Sequence, residues 1–156
     1  MTIEEQWRAC RAGTHPALVA RLASGFVTLF EQQTLPGYCV LIADPLAGSL
    51  NELSEDARAR FLTDLAFLGD VIPAALGVAL PARRFRRMNY AIFGNVDPTL
   101  HAHAMPRFED EGEETRTKVY WAFPASAVRR EDVFDVARHA GLMGALRDAI
   151  GARAVR

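Results

Sequence analysis

Hydrophobic and polar residues alternate along several short stretches of the chain, as they do in strands that bury one face. Residues 25–31 and 37–43 are rich in β-branched and aromatic side chains and flank a turn at Leu35-Pro36-Gly37. This arrangement predicts two adjacent strands that form a hairpin. Four further stretches of similar character predict additional strands, at residues 18–22, 85–93, 100–106 and 119–123.

A different period governs residues 55–76, where apolar side chains recur at helical spacing after Ser54, a residue suited to cap a helix. Pro73 is expected to shorten or kink this long helix, and Gly77 is expected to end it. Shorter helices are predicted over residues 2–12, with Thr2 as N-cap, and over about 135–150. With no internal repeat or long linker, the pattern predicts one α+β domain over residues 1–156.

Composition narrows the class of protein. The 156 residues are 50% hydrophobic and 24% charged, which argues against a disordered chain or a disulfide scaffold. A net charge of −1 provides no field that would hold an extended nucleic acid. A local run of arginines, Arg83-Arg84-Phe85-Arg86-Arg87, could still grip a small anionic ligand, or could be a solvated turn.

The two cysteines, Cys10 and Cys39, do not form a Cys-x-x-Cys pair, so neither a zinc knuckle nor a redox motif is indicated. The first residues are acidic where a secretory signal would be basic, and no apolar run was expected to reach the length of a membrane span. We therefore expect a cytoplasmic protein without a membrane partner.

Two of the four histidines lie two residues apart, in the predicted strand at residues 100–106. Alternate residues of a strand share a face, so His101 and His103 should project side by side, with Thr99 in line ahead of them. Such a pair could bind a metal, although a third ligand is lacking nearby. It could also act at phosphorus, one imidazole attacking and the other holding oxygens, or it could be hydrogen-bonded without chemistry.

The segment around the pair resembles the signature of the histidine triad (HIT) superfamily, in which three histidines alternate with apolar residues and Pro-Arg follows. Aligning Met105-Pro106-Arg107 with that ending puts the three triad positions at Thr99, His101 and His103. Gly94-Asn95 is similar to the loop that precedes the triad. Two positions depart from the pattern of a bacterial branch of the superfamily, since Thr99 and Leu46 stand where histidines are usual.

The resemblance implies a HIT-like fold, an antiparallel sheet with one long helix and a C-terminal helix. It also implies a nucleotide hydrolase or nucleotidyl transferase that acts at the α-phosphate of a dinucleoside polyphosphate or a nucleoside phosphoramidate. His101 would form a covalent nucleotidyl-histidine, oriented by the backbone carbonyl of residue 99, while His103 holds phosphate oxygens. The substrate-binding residues would be Gly94, Asn95, Asn89, Thr99, Met105 and Arg107.

The same resemblance implies a homodimer with a small-molecule nucleotide as its partner. No cofactor or protein-bound metal is required, although Mg²⁺ can accompany a polyphosphate. Arg107 would either reach phosphate or pair with the acids at 109–111, and Phe26, Phe30 and Tyr38 are candidates for a nucleoside pocket or for the core. The alternative is a nucleotide-binding protein with little or no turnover, which senses a nucleotide or binds a partner.

Overall fold

The computed structural model describes residues 1–154 and contains a five-stranded antiparallel sheet in the order β1-β2-β3-β5-β4. The predicted domain of residues 1–156 thus includes two residues, 155 and 156, that lie outside the described part. The strands are β1 (Leu18–Arg21), β2 (Gly25–Leu29), β3 (Cys39–Ala43), β4 (Phe85–Ala91) and β5 (His101–Phe108). Strands β2 and β3 form the predicted antiparallel pair.

Four helices complete the fold: α1 (Ile3–Arg11), α2 (Glu55–Ala79), α3 (Glu113–Arg116) and α4 (Val136–Ala154). The long helix and the C-terminal helix pack against each other, and α2 also packs against β4 and β5. This arrangement confirms the predicted α+β fold. At the start of α1, the Thr2 hydroxyl accepts from the amide of Glu5 while the Glu5 carboxylate accepts from the amide of Thr2, so the predicted N-cap is confirmed.

Helix α2 runs three residues beyond its predicted end. Pro73 lies inside the helix, and Gly77 does not end it. A proline costs a helix interior about 3 kcal/mol because a backbone hydrogen bond is lost. Here Ile72 and Leu76, on either side of Pro73, are both buried in the core. Their burial stabilises the helix through the proline and beyond it.

The sequence predicts no segment that is long and apolar enough to span a membrane. By length and composition alone this prediction is wrong, because α2 meets both criteria. Its most apolar 18-residue window has a mean hydropathy of 1.6. The buried side chains of the helix pack onto the sheet and α4, and a helix buried in the core of a protein meets the same criterion. Of that window 39% is buried, so packing in the core accounts for only part of the apolar character of α2.

The strand predicted at residues 119–123 is wrong. The segment forms a single 3-10 turn at Tyr120–Ala122. Its rings pack edge-on at the sheet, with Tyr120 on Tyr38, just before β3, and Trp121 on His103 of β5. The apolar pattern that indicated a strand therefore reflects packing onto the face of the sheet.

Candidate functional site

Strand β5 brings the two histidines together as predicted. The ring centroids of His101 and His103 are 4.9 Å apart, and each residue is only 7% exposed. The intervening Ala102 and the flanking Ala104 are fully buried. Since alternate residues share a face, Met105 and Arg107 continue the row that the histidines begin. We call this side of the sheet the histidine face.

Neighbouring strands set what surrounds this row. His103 lies opposite Val40 on β3 and opposite Ala91 on β4. Further along β5, Met105 lies opposite Asn89. The histidine face is therefore apolar on the β3 side and becomes polar along β4.

His101 is held by the backbone just before it. Its Nδ1 lies 2.7 Å from the carbonyl oxygen of Thr99, which is the contact that the family resemblance implies. A carbonyl can only accept, so Nδ1 carries the hydrogen in this contact, and the neutral ring keeps a free lone pair on Nε2. The arrangement leaves Nε2 as a nucleophile or a base.

Asp97 belongs to this site although sequence reasoning missed it. Its Oδ1 accepts from the amide of Thr99 at 3.0 Å, and its Oδ2 accepts from the amide of Ile3 at 2.7 Å. Partial burial opposes ionisation, but hydrogen bonds from these amides and the nearby His101 outweigh it, so the pKa of Asp97 is lowered. An Asp two residues before the amide it binds is typical of an Asx turn, and Asp97-Pro98-Thr99 carries that signal.

His103 lies among aromatic rings. Its Nδ1 is 2.8 Å from the Tyr38 hydroxyl, and the rings of Phe30, Phe93 and Trp121 lie within 6.4 Å of it, centroid to centroid. Burial, and then the proximity of His101, lowers the pKa of His103 to about 4. Burial, and then Tyr120, raises the pKa of Tyr38, so its hydroxyl stays protonated. His103 is therefore neutral at pH 7.

The depressed pKa of His103 predicts a loss of stability in acid. The unfolded chain titrates this histidine near its ordinary value of 6.5, whereas the folded protein resists protonation until about pH 4. Stability from this group is full above pH 6.5 and should fall by on the order of 3 kcal/mol as the pH drops to 4. Urea denaturation at pH 7 and pH 5 measures the loss.

The matched control for this titration is His103→Gln, which cannot take up a proton. Its free energy of unfolding should change less between pH 7 and pH 5 than that of the unmodified protein. An equal change in the two proteins would show that other groups cause the acid sensitivity.

A cleft of about 360 Å³ lies on the β4 side of His103, and neither histidine is among its lining residues within residues 1–154. Phe93 and Trp121, which contact the ring of His103, form part of its wall, and aromatic and apolar residues dominate it. The lining includes Leu35, Asn89, Phe93, Met105, Tyr120 and Trp121. Trp121 was missed in the sequence because its segment was predicted to be a strand. The cleft offers flat apolar surfaces of the kind on which a ring can stack.

A second cleft of about 170 Å³ shares Arg87 and Asn89 with the first and is lined largely by cations. Arg86 and Lys118 also line it. Arg83, from the same arginine run, instead pairs with Asp110 at 2.7 Å and covers the ring of Phe108. The run is thus divided, with one arginine bracing the fold and two lining a cleft.

Arg107, a predicted substrate-binding residue, lines both clefts and also forms the alternative pairing that was predicted, with an acid at 109–111. It is 5% exposed, and its Nη2 lies 2.6 Å from a carboxylate oxygen of Glu111. Its remaining donors reach the carbonyls of Thr115 at 2.8 Å and Lys118 at 2.9 Å. These contacts hold the loop after β5 over the arginine, while the guanidinium also borders the two clefts.

The other predicted binding residues are dispersed. Asn89, half-buried, has an amide that in its satisfied orientation accepts from Arg107 at 3.2 Å and donates to the carbonyl of Met88. Gly94 and Asn95 lie in the exposed loop between β4 and β5, and within residues 1–154 the Asn95 side chain has no hydrogen bond to the histidines. Leu46 is half-buried against the core.

The aromatic residues considered for a nucleoside pocket are also divided. Phe30 stacks on Tyr38 with ring centroids 4.3 Å apart, next to His103. Phe26 is buried beneath Arg21.

Within residues 1–154, no three His, Cys, Asp or Glu side chains converge in a way that could hold a metal ion.

Comparison with known proteins places the fold. No protein-family model matches the chain, and no curated protein does. Among solved structures, a histidine triad protein of Bradyrhizobium japonicum is 22% identical and aligns over 85% of this chain and 89% of its own, with a TM-score of 0.60. One from Marinobacter aquaeolei is 18% identical over 86% of this chain and 88% of its own, with a TM-score of 0.63.

A third such structure, a histidine triad protein of Sinorhizobium meliloti, is 18% identical over 85% of this chain and 87% of its own, with a TM-score of 0.61. All three alignments span most of both chains. The chain therefore has the fold of the histidine triad proteins.

Proposed function

We propose that the protein is a nucleotide hydrolase or nucleotidyl transferase that uses His101 as its nucleophile. The observation that carries this proposal is the 2.7 Å contact between His101 Nδ1 and the Thr99 carbonyl, which frees the Nε2 lone pair. A neutral imidazole with a free nitrogen suits attack on the α-phosphorus of a nucleotide, and the cleft that lies beside the neighbouring His103 can hold a flat ring.

The reaction would take two displacements. In the first, the Nε2 lone pair forms a bond to phosphorus while the bond to the leaving group breaks, and the leaving group keeps that electron pair and takes a proton from solvent. In the second, water attacks the phosphorus and gives up a proton to solvent, the N–P bond breaks, and the electron pair returns to Nε2. A nucleoside monophosphate is released, and one difficult step becomes two easier ones. Transfer to another acceptor follows the same path with that acceptor in place of water.

His103 would stabilise the phosphoryl oxygens. The protonated Tyr38 hydroxyl, 2.8 Å from Nδ1, can donate to that nitrogen, which leaves the hydrogen of the neutral ring on Nε2. An Nε2–H donor beside His101 would hydrogen-bond a non-bridging oxygen, where charge accumulates as phosphorus is attacked. The cations Arg86, Arg87 and Lys118 of the second cleft would favour a substrate with further negative charge.

The test is to incubate the pure protein with a dinucleoside polyphosphate and, separately, with an adenosine phosphoramidate. Nucleotide release is followed by chromatography, and acid-quenched samples are weighed by intact-mass spectrometry to detect a nucleotidyl adduct. Release together with an adduct supports the proposal. Nucleotide binding without release would instead favour the non-catalytic alternative, and neither binding nor release would refute both.

A further inference from the structure

The segment Asp97-Pro98-Thr99 connects the start of α1 to the side chain of His101. One Asp97 oxygen accepts from the amide of Ile3, the first residue of α1, at 2.7 Å. The other accepts from the amide of Thr99 at 3.0 Å, and the Thr99 carbonyl lies 2.7 Å from His101 Nδ1. Three contacts in series therefore run from α1, whose residue Ile3 is 94 positions from Asp97, to the His101 ring that would attack phosphorus.

The Thr99 carbonyl is held from both sides, because the amide of Leu100 in the same peptide plane donates to the Ala47 carbonyl at 2.7 Å and Asp97 accepts from the Thr99 amide. The direction of a carbonyl is set by the backbone torsions of its own residue. The Thr99 side chain has no ring whose packing could restrict those torsions. The Asp97 bond fixes the amide on one side of Thr99, and Pro98 has a restricted φ angle. The bond to Ile3 in turn fixes the carboxylate. With the Thr99 amide and the Asp97 carboxylate both held, the Thr99 carbonyl, which selects the His101 tautomer, has little freedom to turn.

Asp97 also contributes charge. Attack through Nε2 leaves positive charge on the His101 ring, with the Nδ1 hydrogen still directed at Thr99. An ionised carboxylate next to that ring, partly shielded from water, lowers the energy of the charged ring. A neutral side chain of the same shape would keep part of the hydrogen bonding and lose this attraction.

We propose that Asp97 is a positioning residue for His101, which fixes the Thr99 carbonyl and with it the tautomer of the nucleophile. The orienting group is the backbone carbonyl of residue 99, which does not depend on the side chain at that position, and Asp97 braces it from outside the strand. The catalytic part of this inference rests on the proposed function, but the effect on the His101 tautomer does not.

The test uses Asp97→Asn, which retains one acceptor oxygen and loses the charge. Long-range 15N–1H correlation spectra at pH 8 report which nitrogen of His101 carries the hydrogen. We expect a single Nδ1–H form in the unmodified protein and a mixture of tautomers in the variant. The rate of adduct formation should fall about tenfold, with a change in KM of no more than about twofold.

Ile3→Pro separates bracing from charge. Proline is well accepted at the first position of a helix, and Thr2 already has extended backbone angles of −65° and 163°, as a residue before proline requires. This variant removes the Ile3 amide hydrogen but keeps the Asp97 carboxylate. Its effect on the tautomer and the rate should lie between those of the unmodified protein and Asp97→Asn.

Asp148→Asn is the matched control, since Asp148 is an exposed aspartate on α4 and should change neither readout. Asp97→Ser, which keeps a short oxygen acceptor, replaces Asp97→Asn if thermal denaturation shows that the latter is unfolded. A folded variant with the original single tautomer overturns the proposal. If no adduct forms in any protein but the tautomer shifts, positioning by Asp97 stands and the proposed hydrolase function fails.

Discussion

Replacing His101 with alanine is expected to abolish the covalent adduct and to lower nucleotide release about a thousandfold or more. A factor of a thousand corresponds to about 4 kcal/mol of transition-state stabilisation, which is what loss of a nucleophile should cost at least. Nucleotide affinity should change much less, because the apolar walls of the large cleft, among them Met105 and Trp121, remain. Single-turnover kinetics and calorimetric binding measure the two effects separately.

Two other histidines provide the comparison for His101→Ala. His103→Ala should slow release by about a hundredfold while an adduct still forms, because His103 stabilises charge and does not bond to phosphorus. His139→Ala should be without effect on nucleotide release, since His139 lies half-buried on α4, where its ring stacks on Phe134 and its Nδ1 contacts the backbone of Asp135. Release by His101→Ala within tenfold of the unmodified protein would move the nucleophile elsewhere and refute the mechanism.

Much of the fold follows from local pattern. The capped start of α1, the hairpin of β2 and β3 and the helical spacing of α2 are properties of contiguous residues, and each is predictable. Pro73 and residues 119–123 were misjudged because packing by distant parts of the chain overrode a local preference. The rings of residues 120 and 121 lie on a sheet face whose position no local window specifies.

The candidate site divides in the same way. The shared face of His101 and His103 follows from the two-residue period of a strand. The bond between Asp97 and Ile3 joins residues 94 positions apart, and no spacing rule predicts it. The family pattern pointed to Arg107 as a ligand for phosphate, but the guanidinium had acceptors nearer in sequence, in the loop that follows it.

Arg107→Met is expected to destabilise the protein by about 3–5 kcal/mol, the largest effect on stability that we predict. The change leaves the Glu111 carboxylate, 5% exposed, without its partner, and two buried or half-buried carbonyls lose their donor. Urea denaturation at pH 7 measures the loss. Arg116→Met is the control: its pair with Glu109 is 3.3 Å long and exposed, so it should cost no more than about 1 kcal/mol.

A second pair of variants distinguishes bracing from phosphate binding by Arg107. In the double variant with Glu111→Met, much of the lost stability should return, because no buried charge is left unpaired. Arg107→Lys keeps a positive charge but cannot form the forked contact with Glu111. If Arg107 acted by binding phosphate and not by bracing the loop, Arg107→Lys would preserve the free energy of unfolding and raise the KM for the nucleotide. We expect the reverse: clear destabilisation and a nearly unchanged KM at temperatures where the variant is folded. A stable lysine variant with a raised KM would restore Arg107 to the substrate site.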